Sequence, residues 1–225
     1  MLFATAAPTP YDLRFNIFGF PVRVHPFFWV VALLLGQTLE PRPALIWVVV
    51  VFASVLVHEL GHAFAQRAFG ASPSIVLYAF GGVSSAYGAR DEWWSNVLTA
   101  IAGPAAGLAL AGTVFGLTTA FGWPSNPLLE LALEFLLLIN IVWSVVNLLP
   151  VWPLDGGHVS RELLVLFLAP STGIVASLGL SIVIATATAI GLFAMTGSMW
   201  NLFLFGFLAY QNYLALVAYR GSRGF

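Results

Sequence analysis

Cysteine is absent from the 225 residues, and charge is scarce: eight Arg and nine Asp or Glu make up 8% of the chain. Without thiols there is no disulfide framework, no thiolate nucleophile and no Cys-bound metal. Ordinary soluble domains carry about 25% charged residues, so this chain cannot build the polar shell of a soluble globule. A net charge of -1 supplies no global field toward polyanions, which excludes a nucleic-acid partner. The low hydrophobicity of disordered chains is missing too.

What is present is apolar. Hydrophobic residues make up 60% and mean hydropathy is +0.95. The runs are far longer than barrel strands, so the chain is expected to be an all-α integral membrane protein whose first partner is the lipid bilayer. Residues 1–26 carry Pro8, Pro10, Asp12 and Pro21 before any apolar run. They lack the basic head and apolar centre of a signal peptide, so insertion is expected of the internal segments.

Those segments are Phe27–Leu39, extendable back to Gly19, then Ala44–Phe69, Trp93–Phe121, Leu128–Leu149, Gly173–Met195 and Trp200–Tyr219. Pro150 and Pro153 end the fourth, because proline lacks an N–H and clashes with the preceding turn. Val159–Ala169 carries Arg161 and Glu162 and reads as a surface or partly buried helix. About six spans result, the first being the shortest against the roughly 20 residues a crossing needs. With both termini cytoplasmic, Arg14, Arg23, Arg67, Arg90, Arg161, Arg220 and Arg223 lie inside and Arg42 alone outside. That asymmetry satisfies the positive-inside rule; a prokaryotic plasma membrane is the expected location. No internal repeat or soluble domain is legible, and residues 1–225 read as one polytopic domain.

Between spans two and three, Ile75 to Phe80 is apolar and β-prone, Gly81-Gly82 signals a turn, and Val83 to Tyr87 resumes. A short membrane-associated β-hairpin is expected. Irregular backbone at that depth requires protein or a wet cavity around it.

His58-Glu59-Leu60-Gly61-His62 fits H-E-x-x-H. One helical turn separates the imidazoles, so both project from one face and can share a Zn²⁺, with Glu59 placed to take a proton from water. Three ionisable residues inside an apolar helix are costly and need a reason. The competing reading is a hydrogen-bonded pair of His with Glu59 paired to Arg67. A catalytic zinc needs three protein ligands and an open position. His25 reads as interfacial. Asp155, in Pro150-Val151-Trp152-Pro153-Leu154-Asp155-Gly156-Gly157-His158, would sit on bent backbone past the inner end of the fourth span, where Gly156-Gly157 permits a tight turn. The span count puts it at the depth of His58 and His62, which favours it as third ligand; a turn Asp capping the next helix is the alternative.

The sequence resembles the site-2 protease family of intramembrane zinc metalloproteases. The resemblance rests on His58–His62, on Asn147 with Leu154-Asp155-Gly156, on Phe80-Gly81-Gly82 and on Ala102-Gly103-Pro104. It covers about residues 44–160. It implies one zinc held by His58, His62 and Asp155, Glu59 as base, Asn147 at the active site, and substrate contacts from the loop holding Ile75, Val76, Leu77, Phe80, Gly81 and Gly82. The substrate would be a transmembrane segment of another membrane protein. Gly107 stands where many relatives carry Asn, and the PDZ or CBS domain of several relatives is not found.

On that footing Asn147 could donate to an oxyanion or simply bridge helices. The Ile75–Phe80 strand could pair with an unwound substrate by β-augmentation or serve as a structural hairpin. A transporter or metal permease would also bury His and Asp, but it predicts a polar path along several spans. The last two spans offer only hydroxyls, Asn and Gln.

Overall fold

The described residues, 7–79, 81–87 and 92–221 of a computed structural model, begin with a strand pair, β1 (Leu13–Ile17) and β2 (Phe20–Val24). A short helix α1 (Pro26–Leu35) follows, then the long helix α2 (Pro41–Ala68). Next come β3 (Ser72–Tyr78) and β4 (Gly81–Tyr87). The remainder is helical: α3 (Trp93–Phe121), α4 (Pro127–Asn147), α5 (Asp155–Phe167), α6 (Pro170–Thr196) and α7 (Met199–Gly221). Among the described residues five helices, α2, α3, α4, α6 and α7, are long and apolar enough to cross a membrane. The residues group into two units, 1–90 with 102–145 and 91–101 with 146–225.

Helix ends follow local chemistry. Pro26 and Pro41 occupy first-turn positions where a missing N–H costs nothing. His25, read from sequence as interfacial, caps α1: its Nδ1 accepts the Phe27 N–H at 3.1 Å. Asn126 caps α4 by accepting from Leu128 and Leu129. Gly197, with φ of +65°, closes α6.

In the first unit the hairpin expected at residues 75–87 is half of a larger sheet. Its strand order is β1-β2-β3-β4, with β2 parallel to β3 and both outer pairs antiparallel. Val22, Val24, Ile75 and Leu77 alternate onto one face and pack with Phe28, Val55, Leu60 and Ala63 of the helices.

The first span differs from expectation. Its helix has ten residues, about 15 Å at 1.5 Å per residue, and cannot cross alone. Residues 20–24, read as an extension of that span, are strand. The passage nevertheless runs the length of α2 in the opposite sense. Phe20 meets Phe64 at a ring separation of 5.1 Å, Phe28 meets Phe52 at 6.2 Å, and Trp47 Nε1 donates to the Ala32 carbonyl at 3.0 Å. Five strand residues and ten helical residues together span about 32 Å, close to the thickness of a hydrocarbon core. Strand is tolerable there because β1 and β3 bond both edges of β2.

In the second unit α6 and α7 pack around Ala185, Ala189, Phe205 and Leu208, with Val151 of the preceding segment between them. Helix α5 crosses α6 tightly at Gly173, where a Cβ would come within 2.7 Å of the Val165 backbone. With 13 residues α5 is too short to span. It starts at Asp155 rather than Val159.

Candidate metal centre

His58, Glu59 and His62 lie on the second half of α2, and all three are buried. One turn of helix brings the two imidazole Nε2 atoms within 3.1 Å of each other. Two nitrogens on one tetrahedral zinc, each about 2.0–2.1 Å from the metal, stand about 3.3 Å apart, so this pair is spaced as ligands of one ion. Arg67, the partner that a purely structural reading gives Glu59, is engaged elsewhere. It donates to the Phe18 carbonyl at 2.9 Å and stacks 4.0 Å above the Phe20 ring.

The surroundings of the motif are backbone. A Cβ on Gly82, at the start of β4, would overlap the Glu59 carboxyl arm and lie 2.7 Å from its Oε1. One on Gly103 of α3 would overlap the His62 ring, 2.8 Å from Cδ2. Gly61 faces α3 in the same way: its Cβ would fall 2.9 Å from the Ala102 carbonyl carbon and from Ala106 Cβ. Three glycines therefore allow β4 and α3 to approach the motif to a distance that no side chain permits. Of these, Gly103 entered the sequence reading only through motif resemblance, and Gly82 was otherwise legible only as part of a turn signal. The signal that distinguishes them is non-local.

Residues 46–131 and 123–190 match the sequence pattern of Peptidase family M50, which together is more than half of the chain. The chain belongs to peptidase family M50, the site-2 proteases. Rip3 of Mycobacterium tuberculosis is 34% identical over 166 residues, covering 66% of this chain and 42% of that protein. The zinc metalloprotease MJ0392 of Methanocaldococcus jannaschii is 29% identical over 166 residues, covering 68% and 46%. The chain thus spans less than half the length of these curated relatives. The solved structure of the site-2 protease from Methanocaldococcus jannaschii superposes with a TM-score of 0.63 at 22% identity, covering 92% of this chain and 95% of that one. The fold is shared.

Within this M50 chain, Gly107 has a physical account. A Cβ there would fall 2.5 Å from Ser144 Oγ and 3.5 Å from Asn140 Oδ1, both on α4. The larger Asn of many relatives has no room. Asn140, buried, donates to Ser54 Oγ at 2.8 Å, one turn before His58 on α2.

Asp155 and Asn147 belong to the second unit. Asp155 is the first residue of α5, and Leu154 holds the capping position without a side-chain cap bond. The alternative of a capping Asp does not describe this geometry. Gly156 and Gly157, read as a turn, are helical. Their Cβ atoms would come within 2.5 Å of the Leu149 carbonyl and of the Trp152 nitrogen, so the helix start folds back onto residues 148–152. Asn147 closes α4, half-buried.

For the expected substrate contacts, β3 is flanked by β2 and β4, and Ile75 and Leu77 are fully buried in the core. Val76 is half-buried. The strand has no backbone edge to offer, so β-augmentation by β3 is corrected by the sheet order. Gly81 and Gly82 stand at the start of the edge strand β4. Phe80 lies outside the described residues.

Proposed function

We propose that this chain is an intramembrane zinc metalloendopeptidase that hydrolyses peptide bonds in or near transmembrane segments of other membrane proteins. The observation that carries the reading is the His58–His62 pair at zinc spacing with Glu59 beside it, buried in an apolar helix of an M50 member.

The donor chemistry fits zinc. Two neutral imidazoles and one carboxylate suit a hydrolytic site, and the chain has no thiolate to compete. His58, His62 and Asp155 would hold one ion. Bound there, zinc supplies Lewis acidity to the scissile carbonyl and to the attacking water. Glu59 takes the proton from that water and delivers it to the leaving amine. The close approach of Gly82 to the carboxyl arm of Glu59 supports a fixed direction for the base. Asn147 donates to the oxygen on which charge develops. A substrate helix bonds all its own backbone groups and must unwind before it can react. The edge strand β4 is the place where an extended segment could add to the sheet.

A transporter would need a continuous polar path. Ser177, Ser181 and Asn212, the buried polar residues of α6 and α7, instead bond carbonyls, the Trp152 backbone and Arg161. That use holds the chain in place and does not line a path.

The test is cleavage. The full chain, co-reconstituted with single-span membrane proteins, should yield a product of defined size, and Glu59→Gln should bind zinc and yield none. Cleavage by Glu59→Gln at the parent rate would remove the base and the proposal.

A further inference from the structure

In the segment that leads from α4 to Asp155, one residue is gripped from two helices. The Trp152 N–H donates to Ser181 Oγ of α6 at 3.0 Å, and the Trp152 carbonyl accepts from Asn212 Nδ2 of α7 at 2.6 Å. Both side chains are 1% exposed. Each also bonds within its own helix, Ser181 to the Ser177 carbonyl at 2.8 Å and Asn212 to the Leu208 carbonyl at 2.8 Å. The hydroxyl and the amide are therefore fixed in direction. Asn212 Oδ1 has no partner among the described residues. Burying a half-satisfied amide costs free energy, so the site bears a penalty that helix packing alone does not need.

The Trp152 side chain is held as firmly as its backbone. The Arg161 guanidinium lies 3.7 Å from the ring centroid, and the His158 ring lies 4.2 Å from it. Arg161 Nε in turn donates to Ser177 Oγ at 3.3 Å. From Trp152 only Pro153 and Leu154 intervene before Asp155. The Leu154 N–H bonds the Val151 carbonyl at 2.8 Å, and the Gly157 and His158 N–H groups bond the Leu154 carbonyl. No slack remains between residue 152 and residue 155.

We propose that Ser181 and Asn212 are positioning residues for Asp155: by holding both backbone polar groups of Trp152, they fix where α5 starts and where its first carboxylate stands. This rests on the reading of Asp155 as a zinc ligand. A carboxylate set by bonds from α6 and α7 makes the metal affinity depend on two helices that carry no ligand. Groups bonded directly to a ligand change affinity about 10–100-fold when lost; Ser181 and Asn212 act through the Trp152 backbone, so the lower end of that range, about 10-fold, is expected of them.

The experiment measures zinc affinity of the full chain in detergent by chelator competition. Ser181→Ala, Asn212→Leu and Asp155→Ala are compared, together with the double variants that combine Asp155→Ala with each of the first two. Thr118→Val removes a buried hydroxyl bonded only within α3 and serves as the control. Expected are a loss of about 10-fold for Ser181→Ala and Asn212→Leu, parent affinity for Thr118→Val, and no further loss when either is added to Asp155→Ala. Ser181→Ala deletes a single oxygen and keeps the test decisive should Asn212→Leu misfold. Parent affinity in Ser181→Ala alongside weakened Asp155→Ala overturns the positioning role alone. Additive losses in the double variants do the same, since they mark general loosening. Full zinc affinity in Asp155→Ala overturns the ligand reading and this inference with it.

Discussion

Gly82 and Glu59 meet without room for a single carbon: a Cβ on the glycine would stand 2.7 Å from the carboxylate Oε1 and overlap the arm that carries it. The start of β4 and the second half of α2 are thereby locked in register. In Gly82→Ala the base must swing away from its present direction while the imidazoles are untouched. Misplacement of a catalytic group by about 1 Å costs on the order of 100-fold. Gly82→Ala should lose about that much turnover and keep its zinc. Parent turnover with parent zinc content would show that Glu59 tolerates the displacement.

Gly103→Ala should act on the metal instead. Its new methyl group would overlap the His62 ring, so His62 or α3 must move. Most of the bound zinc should be lost. Gly112→Ala on the same helix is the matched comparison, because nothing lies within 4 Å of its added carbon. Alanine there should leave zinc unchanged and add up to about 1 kcal/mol of helix stability. Equal zinc content in the two variants would remove the steric account.

These glycines show where sequence reading ends. The His58–His62 pair was legible because its geometry is local: one turn of helix fixes it. Helix α3 was legible to the residue, since Trp93–Phe121 is a single apolar run. The sheet was half legible. β3 and β4 are adjacent in sequence, and the glycine pair expected at the turn opens β4 instead, whereas β2 pairs with a strand about fifty residues away across two helices. A five-residue strand beside an apolar run carries no periodic signal of its own, so Phe20–Val24 merged with the first span. Gly156-Gly157 was read as a turn for the same reason. Close approach to Leu149 and Trp152 depends on how the chain returns, which composition does not encode.

Asp12 should govern the acid stability of the β1–β2 pair. Its carboxylate accepts from the Thr9 hydroxyl at 2.6 Å and the Thr9 N–H at 3.0 Å, and it pairs with Arg23 at 3.0 Å. The Thr9 hydroxyl bond first, then the other Thr9 bond and Arg23, hold the carboxyl well below the usual carboxylate range. A group depressed in the fold stabilises above its unfolded value, and that contribution fades as pH falls toward the folded value. Asp12→Asn should therefore melt below the parent at pH 7, and the gap should close progressively below about pH 4. A gap that stays constant from pH 7 to pH 3 would place the effect in packing rather than charge.

A composite first passage predicts a topology different from the one the helix count alone suggests. Five long helices suggest termini on opposite sides of the membrane. Yet β2 and β3 are hydrogen-bonded neighbours, and β3 directly follows the end of α2. The chain before α1 and the chain after α2 are therefore on one side, and α1 must deliver the chain to the far end of α2. The Ala32–Trp47 and Phe20–Phe64 contacts mark the two ends of that return. Because the chain has no cysteine, single substitutions can be probed with a membrane-impermeant maleimide on intact cells without background. Thr38, between α1 and α2, and Ser125, between α3 and α4, are both exposed, as are Tyr11 and Ala68 at the other end. With that end in the cytoplasm, as the excess of Arg near it predicts, the labelling pattern is fixed. Thr38→Cys and Ser125→Cys should react from outside, while Tyr11→Cys and Ala68→Cys should react only after permeabilisation. Reaction of Tyr11→Cys from outside, with Thr38→Cys protected, would invert the orientation. Protection of Thr38→Cys together with Tyr11→Cys would instead make α1 a helix that dips and returns, and would overturn the composite passage.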